Sequence, residues 1–301
     1  MFDNIKDLEF YKDKDLSRYS TMKLKSTGSL AVANTIQAVQ EFVKEANNNK
    51  IEYRLLGWGA NQLLVDQASF IYLHLEIKNK DDIFSELSKS YELSASTSLA
   101  KLTSHAAKYG IMGWEVFTGI PASLGGAIFM NAGTNLGEIG EVVSEVTIVK
   151  SNGEIEIHQV GKNSFHYRGN TFCKPGDVIV AAKLINNGTS DLIKKKITDY
   201  LKLRNDTQPL NQATCGCMFK NIDNDGMTCR AGLSLDIMGL KGLNIGGVRV
   251  SHKHANFMEN YDQASRDDVM KLSRMVQSEL ALTLGLDFEL EVDTGEQKFE
   301  A

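Results

Sequence analysis

Long apolar runs and cysteines are both scarce in this 301-residue sequence, and each shortage excludes something. No apolar stretch approaches the ~18 residues that a membrane helix needs, so no membrane partner is expected. The opening residues, MFDNIKDLEFYKDKDL, alternate charge with single apolar side chains and lack the apolar core of a signal peptide. The expected location is therefore cytoplasmic. Four cysteines (Cys173, Cys215, Cys217 and Cys229) are too few to staple a chain of this length, so reduced thiols are expected. A massed basic segment is missing as well. The net charge is −5 with lysines scattered along the chain, which argues against nucleic acid, whose binders carry a basic stripe.

What is present is a globular composition, 42% hydrophobic and 24% charged, in a length that suggests about two domains. Ile36, Val39, Phe42, Val43 and Ala46 share one helical face after a candidate Thr35 cap. Apolar runs at 53–56, 63–65 and 71–75 read as strands, as does 91–96. Residues 99–109 read as a helix closed by Gly110. Residues 142–150 and 154–160 flank Asn152-Gly153, a hairpin signal. A strand is expected at 178–184 and a connecting helix at 190–204. The last helix runs over 265–284, with capping-box spacing between Ser265 and Asp268, a buried face of Val269, Leu272, Val276 and Leu280, and a stop at Gly285. Strands and helices intersperse without a regular βαβ rhythm, which makes the class α+β.

Two glycine-rich segments carry a phosphate signal. The first, LGWGANQ at 56–62, contains Gly57-x-Gly59 after a strand. It lacks the third glycine and the following helix of a dinucleotide fingerprint, and a tight turn explains it equally well. The second, GIPASLGGAIFMNAG at 119–133, is richer. Gly119-Ile120-Pro121 enters a turn, Gly125-Gly126 permits close approach of the backbone, and Asn131-Ala132-Gly133 closes it. Successive backbone N–H groups in such turns form concavities that bind anions without any lysine.

With Gly137-Glu138 after it, the second segment resembles the flavin signature of the UDP-N-acetylenolpyruvoylglucosamine reductase (UDP-N-acetylmuramate dehydrogenase) family, and LGWGANQLLV is similar to that family's first flavin loop. The likeness continues through Phe165-His-Tyr-Arg168, Arg204-x-x-x-Gln208-Pro209-Leu210 and Gly216-Cys-Met-Phe-Lys-Asn221. It extends to Ala231-Gly232-Leu233, Gly239-Leu-Lys-Gly242, Ser251-His-Lys-His-Ala-Asn-Phe257 and Leu286-x-x-x-Leu-Glu-Val292. Order and spacing agree over roughly residues 18–295. The resemblance implies a two-lobed FAD-binding region of the vanillyl-alcohol-oxidase/PCMH type plus a C-terminal α+β substrate-binding domain. The lobes would be 1–77, 78–195 and 196–301. The short stretch between Arg168 and Arg204 looks like the compact subclass without a lid insertion.

The implied reaction is NADPH-dependent reduction, through non-covalent FAD, of UDP-N-acetylglucosamine enolpyruvate to UDP-N-acetylmuramate in peptidoglycan precursor synthesis, a step of cell-wall biogenesis. Hydride added at C3 leaves charge at C2, delocalised into the carboxylate, which calls for a clamp on the enolate and an acid. Arg168, a guanidinium that matches a carboxylate bidentately, is the implied clamp. Glu291, preferred over Glu289 two residues earlier, would hold a proton beside the substrate carboxylate. Cys217 stands where the family more often has Ser, and a thiol is a far stronger acid than an alcohol. Arg168 and Cys217 also have bland readings, an exposed arginine at a strand end and a small core residue.

The implied flavin contacts are Gly57, Gly59, Ala60, Asn61 and Gln62 in the first segment. In the second they are Gly119, Ile120, Pro121, Ser123, Gly125, Gly126, Asn131, Ala132 and Gly133. Tyr167, Lys220, Asn221, Lys241 and Asn256 are the implied substrate contacts, with Asn256 alternatively a residue that orients backbone. Departures are Ala60 for a usual Ser, Ala122 for a usual Gly, Asp293 for a usual Arg, and one residue missing before Gly295. Two other classes compete. One is a flavin- or nucleotide-binding protein without turnover. The other is a zinc protein using Cys215, Cys217, Cys229, His252 and His254, although Cys-x-Cys is tighter than structural-zinc spacing; no metal is expected. The partner is a small UDP-sugar, and a monomer is compatible with all of this.

Overall fold

The computed structural model describes residues 2–224 and 227–295; the remaining positions of the expected lobes, 1, 225–226 and 296–301, lie outside the described residues. Helix α1 (Ile36–Asn48) starts where Thr35 Oγ1 accepts the Ala38 N–H at 3.1 Å, satisfying one of the free donors of the first turn. It connects Thr27–Ala33 to Tyr53–Leu55. Both strands run parallel to Gln67–Leu75, one on each side, and Leu8–Asp15 pairs antiparallel at the outer edge. The strand expected over 63–65 is instead an extended segment that pairs with no named strand. Leu63 donates its N–H to Asp293 at 2.8 Å.

A second sheet is antiparallel throughout, in the order Ser90–Ser94, Val178–Ile185, Val143–Val149, Ile155–Gln159. Its hairpin turns at Asn152-Gly153, where Gly153 takes φ +80°. Helix α2 (Leu99–Tyr109), capped by Ser98 and ended by Gly110 at φ +70°, packs with α3 (Leu124–Phe129), Trp114 and Phe117 over this sheet. Val149, Val178 and Val180 join the buried stripe of α1. That helix is therefore enclosed between the two sheets and ties them into one body.

Helix α4 (Leu192–Thr207) runs without a break across the lobe limit expected at 195. Ile193 and Ile197 sink into the core of the second sheet, while its last turn carries Arg204 to the cleft described below. Beyond it a small antiparallel sheet, Asn244–Ile245, Val248–Val250 and Met258–Asn260, is covered by α5 (Ala231–Ile237) and α6 (Arg266–Leu284). At the start of α6, Ser265 and Asp268 exchange side-chain to backbone bonds of 3.1 and 2.9 Å, the expected capping box. Val269, Leu272, Val276 and Leu280 are fully buried, each contributing about 1.5–3 kcal/mol of transfer free energy. Met22, Leu24 and Leu63 enter this third core from the N-terminal part of the chain. The structure contains no helix, among its described residues, long and apolar enough to cross a membrane.

Candidate active site

Where the three cores meet, the chain leaves a cleft of about 1850 Å³ lined by both glycine-rich segments and by the C-terminal part of the chain. Nine Lys or Arg and five Asp or Glu line it, in a chain whose net charge is −5. The cleft is thus locally positive and suited to an elongated anion.

The glycines divide by cause. A Cβ on Gly59 (φ +57°) would lie 2.2 Å from the Tyr19 carbonyl, and one on Gly125 would lie 2.7 Å from Ala95 Cβ. Both are glycine because the protein packs on itself there. At Gly126 the nearest atom is Ser123 Oγ at 3.5 Å, and at Gly57 it is the same Ser123 Oγ at 3.3 Å. These two positions stay open toward the cleft, and Ser123 is where the two segments face each other. An FAD needs backbone left open in a basic groove of this length, and the residues present fit it.

Of the expected flavin contacts, Gly119 and Asn131 do not line the cleft. Asn131 is buried at φ +44°. Its Nδ2 donates to Glu138 Oε2 (2.6 Å) and the His166 carbonyl (3.1 Å), and its Oδ1 accepts from Gly140 (3.1 Å). It holds the closing turn in shape instead of reaching a ligand. Gly119, at φ +74°, lies under the side chain of Arg204, whose Nε would be 2.7 Å from an added Cβ. The other twelve line the cleft.

Asn131 also anchors the short hairpin Phe165–His166/Gly169–Asn170, as does Asn170 Nδ2 bonded to the Phe129 carbonyl at 2.9 Å. Tyr167 and Arg168 form its turn, and Arg168 takes φ +56°, a left-handed conformation that costs an L-residue roughly 1–2 kcal/mol. Its guanidinium lies 4.9 Å from the Tyr167 ring centre, and Nε meets Glu291 Oε1 at 2.8 Å. Burial alone would depress Arg168, but the Glu291 carboxylate and the Tyr167 hydroxyl hold it above its ordinary value. Glu291 is pushed up by burial, with Arg168 opposing. The alternative Glu289 is surface-exposed and pairs with Lys220 at 2.9 Å, so Glu291 is the one that reaches Arg168.

Cys217 sits on an extended segment between two others. It bridges Phe257 on one side; on the other, Met218 accepts the Glu291 N–H at 2.8 Å and Lys220 donates to the Glu289 carbonyl at 2.9 Å. This places Cys217 in the lining with Arg168 and Glu291. Burial pushes its thiol up to about 12, with Glu291 adding to the shift and Arg168 and Arg204 opposing it. The preceding Gly216 (φ +83°) brings this segment against the first glycine-rich loop, an added Cβ lying 3.9 Å from the Ala60 carbonyl. Asn61 extends the link: its Nδ2 donates to the Glu291 carbonyl at 2.9 Å, and its own carbonyl accepts from Asp293 at 2.9 Å. Asp293 further takes a 3.4 Å bond from Gln62 Nε2, which fixes the register around Glu291.

Among the expected substrate contacts, Lys220, Asn221, Lys241 and Asn256 line the cleft and Tyr167 does not. Asn256 clamps both backbone groups of Phe219 (2.9 and 2.8 Å), which makes it an orienting residue. Asn221 Oδ1 accepts the first N–H of α5 at 3.1 Å, while Lys241 pairs with Asp236 at 2.8 Å. No role was expected for Arg204 and Gln208, whose spacing at a helix end places them on one face; both line the cleft. The four cysteines are free, and no group of three or more His, Cys, Asp or Glu among the described residues is placed to hold a metal.

The chain matches the family model described as UDP-N-acetylenolpyruvoylglucosamine reductase, C-terminal domain, over residues 208–294, and the model described as FAD binding domain over residues 29–158. A UDP-N-acetylenolpyruvoylglucosamine reductase from Chlamydia pneumoniae is 34% identical over 285 residues, covering 92% of this chain and 89% of that one. Another from Moorella thermoacetica is 31% identical, with 95% and 93% covered. A crystal structure of UDP-N-acetylenolpyruvylglucosamine reductase from Thermus caldophilus aligns with a TM-score of 0.79 at 29% identity, covering 95% of this chain and 98% of that one.

Proposed function

Because this chain belongs to the UDP-N-acetylenolpyruvoylglucosamine reductase family, we propose that Arg168, Cys217 and Glu291 are the residues with which it performs that family's reaction. It is an FAD-dependent oxidoreductase that uses NADPH to reduce UDP-N-acetylglucosamine enolpyruvate to UDP-N-acetylmuramate, a step in peptidoglycan precursor synthesis. Its substrate, the UDP-sugar, and NADPH are both cytoplasmic metabolites, in keeping with a cytoplasmic enzyme.

The open backbone at Gly57 and Gly126, with Ala60, Gln62 and Ser123 between them, would hold the FAD. Bound there, FAD supplies the hydride that NADPH delivers and that the enolpyruvyl double bond receives. The protein's own work is to meet the charge that appears at C2 and its carboxylate. Arg168 donates to the developing enolate from a guanidinium already aimed by Tyr167 and Glu291. Glu291, its carboxyl pushed up by burial against the pull of Arg168, would be raised further by an arriving substrate carboxylate, and in its protonated form would donate a hydrogen bond to an enolate oxygen. Cys217 holds its own proton as a thiol and gives it to C2, and the thiolate is reprotonated from solvent. Lys220 and Lys241 contribute positive charge to the part of the cleft that would take the diphosphate, and the C-terminal part of the chain would cover the substrate.

The observation that carries this reading is the Arg168–Glu291 pair lining, with Cys217, a cleft that both glycine-rich segments also line. The test is anaerobic and optical. The purified protein should be yellow, NADPH should bleach it, and the enolpyruvyl UDP-sugar should restore the colour. A colourless preparation that takes up no FAD overturns the reading.

A further inference from the structure

The proposed reaction places two negative charges where Arg168 offers one positive charge. The substrate arrives with a carboxylate, and hydride addition at the neighbouring carbon delivers a second electron pair into the same O–C–O system. Arg168 is already bonded to Glu291 at 2.8 Å. While Glu291 is ionised the pair brings no net charge, and when Glu291 holds a proton one cation still faces two anionic charges. A dianion in a partly buried site without a second cation is strongly disfavoured.

The cleft contains such a cation. Arg204 lines it, and the buried Nε has no hydrogen-bond partner among the described residues. Lys220 and Lys241 are paired with Glu289 and Asp236, whereas Arg204 has no ion pair among the described residues. Its guanidinium lies 5.9 Å from the Tyr200 ring centre. The chain also accommodates it with a glycine, since an added Cβ at Gly119 would come within 2.7 Å of Nε and 2.9 Å of Cδ. Two more buried polar atoms of the same lining, Gln208 Oε1 and Thr214 Oγ1, have no partner among the described residues either. The charge of Arg204 reaches Cys217, where it opposes the rise of the thiol, and it also reaches His254. The ring of His254 accepts the Asn256 N–H at Nδ1 (3.3 Å), which leaves Nε2 as the protonated donor of a neutral imidazole.

We propose that Arg204 is a second catalytic cation, which binds the substrate carboxylate and stabilises the dianion formed before Cys217 protonates C2. The inference rests on the proposed function. It favours the carboxylate over the diphosphate because the carboxylate is attached to the carbon that Cys217 serves, and Thr214, three residues before Cys217, leaves its buried Oγ1 unpartnered in the same lining as Arg204 Nε.

The test uses the FAD-loaded full chain with Arg204→Met, Arg204→Gln and Arg204→Lys. Stopped-flow reads flavin bleaching by NADPH and recolouring by the enolpyruvyl UDP-sugar, and equilibrium dialysis reads affinity for that substrate and for UDP-N-acetylglucosamine, which lacks the carboxylate. Recolouring should slow by about 100- to 1000-fold in the Met and Gln variants, with partial recovery in Lys. Affinity for the enolpyruvyl substrate should fall about 10- to 100-fold while that for UDP-N-acetylglucosamine changes less than about threefold. Equal losses for both ligands assign Arg204 to the diphosphate and overturn the inference, as does unchanged recolouring in a variant that retains flavin. Gln preserves the bulk over Gly119, so flavin loss from Met and Gln but not from Lys, without selective loss of carboxylate affinity, also overturns it. A wild-type protein that bleaches but is never recoloured by this substrate refutes the proposed function instead.

Discussion

Asn61, in the first glycine-rich loop, donates its side-chain amide to the backbone carbonyl of Glu291 at 2.9 Å, joining the cofactor side of the cleft to the proposed acid. One contact therefore couples two properties that are usually measured apart. Asn61→Ala should lose about 1 kcal/mol of stability and weaken FAD retention and turnover together. Thermal melts with and without FAD, beside steady-state rates, test this; a turnover loss with unchanged flavin affinity would show that the coupling is absent.

The glycines offer a cleaner separation of packing from ligand contact. Gly59→Ala places a Cβ 2.2 Å from the Tyr19 carbonyl at φ +57° and should destabilise the protein by about 3 kcal/mol or more. Gly126→Ala meets no protein atom closer than 3.5 Å. It should fold with a near wild-type melting temperature but bind FAD about tenfold more weakly. Equal thermal damage from both substitutions would contradict this division.

At Arg168 the usual ranking of alanine over glycine should invert. The residue sits at φ +56°, where a Cβ costs roughly 1 kcal/mol, and both substitutions remove the same ion pair. Arg168→Gly should thus melt higher than Arg168→Ala, while both lose about 100- to 1000-fold in turnover. Calorimetry of the two variants decides the sign.

Glu291 supplies a pH test. Its carboxyl is raised from the ordinary 4.5, chiefly by burial, so the folded state binds the proton more tightly than the unfolded state does. The stability this contributes is complete below the unfolded value and is lost as pH rises through the folded one. Measured against Glu291→Gln, the wild type should therefore lose stability as pH climbs from about 4.5. A gain over that interval would mean that the charge pair with Arg168 outweighs burial.

Cys217 should behave as an acid and hardly as a nucleophile, because a thiol held at about 12 stays protonated at neutral pH. Cys217→Ser should keep turnover within about tenfold. Cys217→Ala should still be bleached by NADPH but be recoloured by substrate about 100- to 10,000-fold more slowly. Iodoacetamide should modify the thiol slowly at pH 7, and rapid inactivation with alkylation at Cys217 would refute the protonated state.

Sequence patterns revealed elements whose causes are local. The Thr35 cap, the Ser265–Asp268 box, the stops at Gly110 and Gly285 and the Asn152-Gly153 turn are all short-range chemistry, and each stands where it was expected. The edge strand Leu8–Asp15 and its neighbour Thr27–Ala33 were not legible. The first has mostly charged side chains and depends on its neighbour, while the second owes its burial to α1 and the second sheet. The extended run at 63–65 was misread because its partner, Asp293, lies far along the chain.

The site divided in the same way. Residue types and order pointed to Arg168, Cys217 and Glu291, with Glu291 preferred over Glu289 on the resemblance alone, and the coordinates give the two glutamates different partners. Asn131 was legible as important and not as a support, and for Asn256 both readings stood open, because an amide that braces backbone and an amide that binds a ligand look alike in sequence. Arg204 stood in a recognised motif without a role. Its significance lies in what it lacks, a partner for a buried nitrogen, and no motif records an absence.

The bond between Asn61 and Glu291 spans 230 positions of the chain. Loop closure over such a distance is entropically late, so this tie between the first glycine-rich loop and the segment carrying Glu291 forms only after that segment has been synthesised and docked. A nascent chain can fold α1 and its sheets early, but it cannot present a finished cleft. A partly made chain can carry both glycine-rich segments, but until residue 291 is made it lacks the carboxylate that meets Arg168, so the proposed catalytic set is the last part of the cleft to be completed.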